Sequence, residues 1–169
     1  MQQTDSIAPI AGILQKLPVF AGLYEQEYAH IRAICRPARF ASGHTLFREG
    51  DGSPCMYVLL DGEISLSSEG LGPLHTVRPG ETFGEIGLIA QQKRTATATS
   101  LSPVTLLQIN GDAFRLLLGR EPRISFAIMR NITLGLSQHI VRMNRQGLPD
   151  CLPAAEPAPE RGPRLRHGR

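Results

Sequence analysis

Between about residues 36 and 110 the chain is cut into short pieces, and this limits the fold more than any other feature. The segments "HTLF", "MYVLL", "EISLSS", "LHTV", "RTATATS" and "VTLLQI" are rich in β-branched and aliphatic residues, and "ASG", "REGDGSP", "DG", "EGLGP" and "RPG" separate them. Every separator carries a glycine, which can take the positive φ of a tight turn without a Cβ penalty. Short strands recurring at about 8–12 residues predict a β-sandwich or barrel rather than a parallel sheet. Asp61-Gly62, between the apolar runs of "LLDGEI", is the strongest hairpin signal and suits a type I′ turn.

Helical periodicity flanks this region on both sides. Residues 9–35 read as helical in two pieces broken at Pro18, and "YEQEYAHIRAIC" places Tyr24, Tyr28, Ile31, Ile34 and Cys35 on one core-facing stripe. After Ile109, "NGDAFRLLLG" offers Asn110 or Asp112 as an N-cap and stops near Gly119. A longer helix follows, with Pro122 suited to its first turn. Beyond Gly147 the sequence carries five prolines and few large apolar groups, a composition that predicts disorder. The expected architecture is mainly β with flanking helices. It comprises a partly helical extension at 1–16, a domain at 17–145 and a Pro/Arg-rich tail at 146–169. Within the domain a β-roll spans about 36–110 and closing helices about 111–145.

Composition narrows the functional classes. A chain of 169 residues with 41% hydrophobic and 20% charged residues suits one soluble globular domain. No apolar run approaches the roughly 20 residues of a membrane helix, and "IAPIAGIL" is too short and too weakly flanked by positive charge for a secretory signal. Cys35, Cys55 and Cys151 are widely spaced and form no CxxC, which fits a reducing cytoplasmic setting. Residues 1–150 hold 14 Lys/Arg against 13 Asp/Glu, so charge alone gives no support to nucleic-acid binding. The local exception, 120–145, has five Arg and one acid and reads most simply as a solvated face.

The chemistry concentrates in "FGEIGLIAQQKRTATAT", residues 83–99. Gly84 permits a sharp turn into a helix of one or two turns, whose unpaired N–H groups near Ile86–Leu88 form an anion cradle. Gly87 would let a ligand approach closely. Arg94 can return across the same pocket with a planar fork matched to phosphate, and Thr95 adds a hydroxyl beside it. Glu85, if ionised, can only accept hydrogen bonds, for instance from a sugar hydroxyl. In the following strand Arg94, Ala96 and Ala98 share one face, so a guanidinium points into the roll, which is costly without an anionic partner. The implied ligand has one small anionic group and a neighbouring hydroxyl.

At Phe83–Ala96 the chain resembles the cyclic nucleotide-binding domains. These occur in catabolite activator-type regulators, in regulatory subunits of cyclic AMP-dependent protein kinase and in cyclic nucleotide-gated channels. Their phosphate-binding cassette has the form F-G-E, a short helix of small residues, then R-[STA]-A, and every part has a counterpart here. The resemblance runs over roughly residues 17–145. It implies a jelly-roll-like double-stranded β-helix with N-terminal helices and a C-terminal lid helix. It also implies a cyclic AMP or cyclic GMP ligand, with no cofactor. Glu85 would accept the ribose 2′-hydroxyl, Arg94 would pair with the cyclic phosphate, and the backbone of Gly84, Ile86 and Gly87 would line it. Thr95 would support the phosphate, with Phe83 and Ala96 completing the cassette. The base would meet the lid, where His139, Ile140, Arg142 and Met143 are the candidates.

Other readings stay beside this one. Arg94 could pair internally with Glu85 and bind nothing, leaving a ligand-free interaction module with a degenerate pocket. The five histidines are scattered without an H-x-H pair, so no metal site is expected. No His-supported Cys or Ser nucleophile is visible, so no enzyme is expected. In the lid, Met129, Leu136 and Met143 repeat at seven with Ile132 and His139 between, a seam for either a homodimer or the chain's own roll. The 24 residues after Arg145 are too few and too proline-rich for a DNA-binding domain. The expectation is therefore a stand-alone cytoplasmic receptor signalling to an unidentified effector protein through its lid helix.

Overall fold

The computed structural model describes residues 10–147, with side chains over 12–141. Helix α1 (Ile10–Leu14), two single 3-10 turns at Pro18–Phe20 and Glu25–Glu27, and α2 (Tyr28–Ile34) lead into the strands. The strands are β1 (Cys35–Phe40), β2 (Thr45–Phe47), β3 (Cys55–Asp61), β4 (Ile64–Ser68), β5 (Gly72–Val77), β6 (Thr82–Phe83), β7 (Thr97–Ser100) and β8 (Val104–Asn110). Helix α3 (Glu85–Ile89) interrupts them, and α4 (Gly111–Arg120) and α5 (Pro122–Gly147) follow. The strands form two four-stranded antiparallel sheets, ordered β1-β8-β3-β6 and β2-β7-β4-β5, which face each other as a roll.

Strands β3 and β8 explain why their sequences are almost continuously apolar. Met56, Val58, Leu107 and Ile109 face a core shared with the helices, containing Leu14, Phe20, Phe114, Ile128 and Ile132. Tyr57, Leu59, Val104 and Leu106 face the interior of the roll, with Phe47, Ile64, Phe83 and Ala98. Both faces are covered, so strict polar alternation is lost.

Asp61-Gly62 does not close a hairpin. Gly62 takes φ +87°, but β3 ends in one sheet and β4 begins in the other. The lateral hydrogen bonds of β3 are taken by β8 and β6. A Cβ at Gly62 would overlap the carbonyl of Pro103, so the turn is a corner packed against the β7–β8 loop. The hairpin on this part of the chain is β4–β5, which turns at 69–71.

Three smaller expectations change. β1 carries Pro37 and two arginines and reads poorly as a strand; it is tolerated because it lies at a sheet edge. β7 starts at Thr97 rather than Arg94, although Arg94, Ala96 and Ala98 are all buried as the alternation implies. Tyr24 leaves the core stripe and is 59% exposed, with the Arg123 guanidinium carbon 3.5 Å from its ring centroid. The N-cap of α4 is Asn110, whose side chain accepts from Ala113 N at 2.9 Å.

The lid seam also resolves. Ile132 is buried in the helical core and Leu136 packs against it, so these seam positions cover the chain's own roll. The solvent face of α5 carries a different apolar set, Phe126, Leu134, Ile140 and Val141. Asn131 ties α5 to the N-terminal segment by donating to Val19 O at 3.1 Å and Ala21 O at 2.8 Å. Arg123 pairs with Glu27 in the same interface. Among the described residues no helix is long and apolar enough to cross a membrane. The tail expected at 146–169 and the extension at 1–16 lie largely outside the described residues.

Candidate functional site

At the end of β6 the backbone turns on Gly84, with φ +76° and ψ 4°. Only glycine takes this left-handed geometry without a penalty. A Cβ here would also overlap Nη1 of Arg94, so the same residue makes the turn and admits the guanidinium. Helix α3 then begins at Glu85, and its first-turn amides have no acceptor within so short a helix.

Arg94 is 3% exposed. Its Nη1 donates to Gly84 O at 2.7 Å and its Nη2 to Cys55 O at 2.6 Å, while Nε has no partner. The guanidinium carbon lies 4.0 Å from the centroid of the Phe47 ring. Beneath it Phe47, Tyr57 and Phe83 stack, the Tyr57 and Phe83 centroids 5.1 Å apart. Arg94 is in none of the ion pairs seen among the described residues, which include His75–Glu81, Arg115–Asp112 and Arg123–Glu27. A buried cation is thus held by carbonyl dipoles and an aromatic face, an arrangement complemented by an anion.

Glu85 is 5% exposed, and its Oε2 has no hydrogen-bond partner. Burial raises the pKa of its carboxyl above the ordinary range, while a backbone N–H and the Arg94 charge pull the other way. Such a group favours a donor that would hydrogen-bond the carboxylate.

These groups share one cavity of about 300 Å³, at the lower end for small-ligand sites. Phe83, Gly84, Glu85, Ile86, Gly87, Arg94, Thr95 and Ala96 all contribute to its wall, and Ile132, Leu136 and His139 close it from α5. Ile140 does not face it, being 56% exposed on the outer side of the helix. A residue next to His139 on a 3.6-residue period points away by about 100°. The side chains of Arg142 and Met143 lie outside the described residues. Gly87 has a different constraint from the one expected. Its absent side chain would overlap Ser53 Oγ and crowd Gln92 O, so close packing beneath α3 demands the glycine.

The sequence reading missed several members of the site. Phe47 supports Arg94, the Cys55 carbonyl holds it, and Ser53 underlies α3. His75 and Glu81 also line the cavity. "HTLF" and "MYVLL" carried only strand signals, and nothing local marks a backbone carbonyl as an arginine acceptor.

Comparison with known proteins identifies the family. The family model of the cyclic nucleotide-binding domain matches residues 37–121, half of the chain. The chain belongs to the cyclic nucleotide-binding domain family. It is 28% identical over 122 residues to a CRP-like cAMP-activated global transcriptional regulator of Mycobacterium tuberculosis, covering 70% of this chain and 54% of that protein. Among solved structures, the N-terminal domain of a transcriptional regulator from Streptomyces coelicolor is similar with a TM-score of 0.61 and 29% identity, covering 84% of this chain and 99% of that one. The regulatory domain of Toxoplasma gondii PKA, crystallised with cAMP, gives a TM-score of 0.57 at 29% identity over 63% of this chain and 42% of that one. The chain thus spans about half of the length of the curated regulator it matches.

Proposed function

We propose that this chain is a receptor for a cyclic mononucleotide, cyclic AMP or cyclic GMP, and acts by binding rather than catalysis. The observation that carries the reading is the pairing, on one cavity wall, of a buried Arg94, outside any ion pair among the described residues, with a buried Glu85. One is suited to a phosphate and the other to a ribose hydroxyl. Gly84, Ile86 and Gly87 would present backbone to the phosphate, Thr95 its hydroxyl, and Phe83 and Ala96 the walls. His139 would approach the base from the lid. The cavity volume favours a mononucleotide over a cyclic dinucleotide.

Coupling to an output has a physical route. Leu88 of α3 belongs to the helical core with Phe114, Ile124 and Ile128, and a Cβ on Gly111 at the start of α4 would overlap it. A ligand that shifts α3 therefore strains the packing of α4 and α5, provided it binds the two arrangements with different affinity. The exposed stripe Phe126, Leu134, Ile140 and Val141 would deliver the signal, as a homodimer contact or to an effector protein.

Calorimetry with cyclic AMP, cyclic GMP and cyclic di-GMP tests the reading. Stoichiometric binding of one cyclic mononucleotide supports it, and no heat from any of the three refutes it. One observation favours a second reading: both terminal nitrogens of Arg94 already bond to carbonyls. If that is their whole purpose, the chain is a ligand-free interaction module. Thermal denaturation then stays unmoved by nucleotide, whereas a receptor gains about 2.7 kcal/mol at 100 times its Kd.

A further inference from the structure

The turn between β2 and β3, residues 48–54, adds nothing to the cavity wall, yet it holds three parts of the site. Gly50 N–H donates to Arg94 O at 2.8 Å, and Arg94 N–H donates to Asp51 O at 2.9 Å. Both backbone groups of the arginine are thus held by adjacent residues of the turn. Cys55, which follows directly, accepts from Arg94 Nη2 at 2.6 Å, so one segment grips the main chain and the fork together. Ser53 packs beneath α3 at Gly87. Pro54 O accepts the N–H of Gly111, the first residue of α4, at 2.8 Å.

The shape of this turn depends on one exposed carboxylate. Asp51 Oδ2 accepts from Arg48 N–H at 2.7 Å, and Asp51 N–H donates to Arg48 O at 3.1 Å. An ionised acceptor makes the stronger kind of hydrogen bond to a backbone N–H. Gly50, at φ +86°, supplies the left-handed step between them. Glu49 N–H is pinned separately on Thr97 Oγ1 at 3.0 Å. Removing the carboxylate therefore loosens the turn without releasing it.

We propose that Asp51 is a positioning residue for the phosphate ligand: it sets the turn that aims Arg94 and ties that arginine to the start of α4. The proposal rests on the receptor reading above. Asp51 is an anion outside the cavity, so it gives a phosphate no attraction of its own, and its contribution runs through Arg94. Each terminal nitrogen of Arg94 already donates to a carbonyl, and Nε has no partner. The N–H groups left for a phosphate are therefore aimed by whatever fixes the backbone of Arg94 and the Cys55 carbonyl. A planar fork depends on that aim more than a point charge does. Through Pro54 and Gly111 the same turn gives α4 a link to the site separate from Leu88.

The test uses the full chain and compares Asp51→Ala with Asp51→Asn, which keeps an oxygen acceptor. Its first arm needs no ligand. Amide exchange followed by NMR should accelerate at Gly50, Arg94 and Gly111 in Asp51→Ala and return most of the way in Asp51→Asn, while the amides of β8 stay unchanged. In the second arm, calorimetry with cyclic AMP and cyclic GMP should show affinity falling about 2- to 30-fold in Asp51→Ala. Asp51→Asn should recover most of that loss. In an Arg94→Lys background the same alanine substitution should cost less than half as much on a logarithmic scale, because the fork it aims is gone. An equal loss in both backgrounds would overturn the proposal, as would unchanged affinity in Asp51→Ala or an asparagine variant no better than alanine. Unaltered exchange at Arg94 and Gly111 would overturn it as well. Absence of nucleotide binding by the parent protein would refute the receptor reading instead, and the exchange arm would still decide whether Asp51 holds Arg94 and α4.

Discussion

Replacing Arg94 by alanine separates a structural guanidinium from a ligand-binding one, because the two uses have different energetic signatures. In the ligand-free fold the side chain satisfies the carbonyls of Gly84 and Cys55 and covers the Phe47 ring. A buried acceptor left without a donor costs about 1–3 kcal/mol. Water entering from the cavity can reach part of the vacated space, so the net loss of stability should be about 2–4 kcal/mol for the two carbonyls together. Truncating one partner of a buried, hydrogen-bonded charge pair costs about 2–5 kcal/mol of binding. That corresponds to a Kd raised roughly 30- to 4,000-fold. Arg94→Lys keeps the charge without the fork, and should recover part of the affinity but not the double carbonyl contact. Urea denaturation measures the first loss and calorimetry with cyclic AMP and cyclic GMP the second. A folded Arg94→Ala protein whose affinity stays within about threefold of the parent refutes the phosphate assignment.

Glu85→Gln should stabilise the ligand-free protein at neutral pH while weakening nucleotide binding. The folded pKa of Glu85 is raised above its unfolded value, so its contribution to stability is fully present below the unfolded pKa and is lost as pH rises through the folded one. The advantage of the glutamine variant in urea melts should therefore shrink towards acid pH, and an advantage that is constant with pH counts against a buried carboxylate. Gly84→Ala combines an unfavourable φ with an overlap on Arg94; a destabilisation of at least about 1 kcal/mol is expected, together with weakened binding, both measured as for Arg94. Cys35 is buried and its pKa is pushed up to about 12, so it should resist thiol alkylation in the native protein at mildly alkaline pH. Mass spectrometry of peptides from iodoacetamide-treated protein reads this directly. Phe126→Glu and Ile140→Glu, both on the exposed face of α5, should shift any homodimer to monomer in analytical ultracentrifugation without changing the fold.

The sequence displayed its local rules well. Glycine-punctuated short strands predicted the roll, and Asn110 and Pro122 marked the starts of the last two helices. Phe83–Ala96 placed its acid, glycines and arginine at spacings that the fold brings onto one cavity wall. What failed was whatever depended on neighbours distant in the chain. The Asp61-Gly62 turn has hairpin chemistry, yet its outcome depends on which strands claim the flanking hydrogen bonds, and β8 arrives more than 40 residues later. Met129, Ile132 and Leu136 form a seam that periodicity alone cannot assign to a second copy or to the chain's own core.

By itself, then, the sequence determined the class of fold and the chemical tools of the site, because turn propensity, periodicity and side-chain functional groups are properties of short segments. Tertiary structure alone decided how those tools are set. It buried Arg94 on Phe47 and two carbonyls, left Glu85 Oε2 without a hydrogen-bond partner, turned Ile140 outwards and brought His139 onto His75. Each of those outcomes is a contact or a loss of water between residues far apart in the chain, and desolvation has no signature in a local pattern.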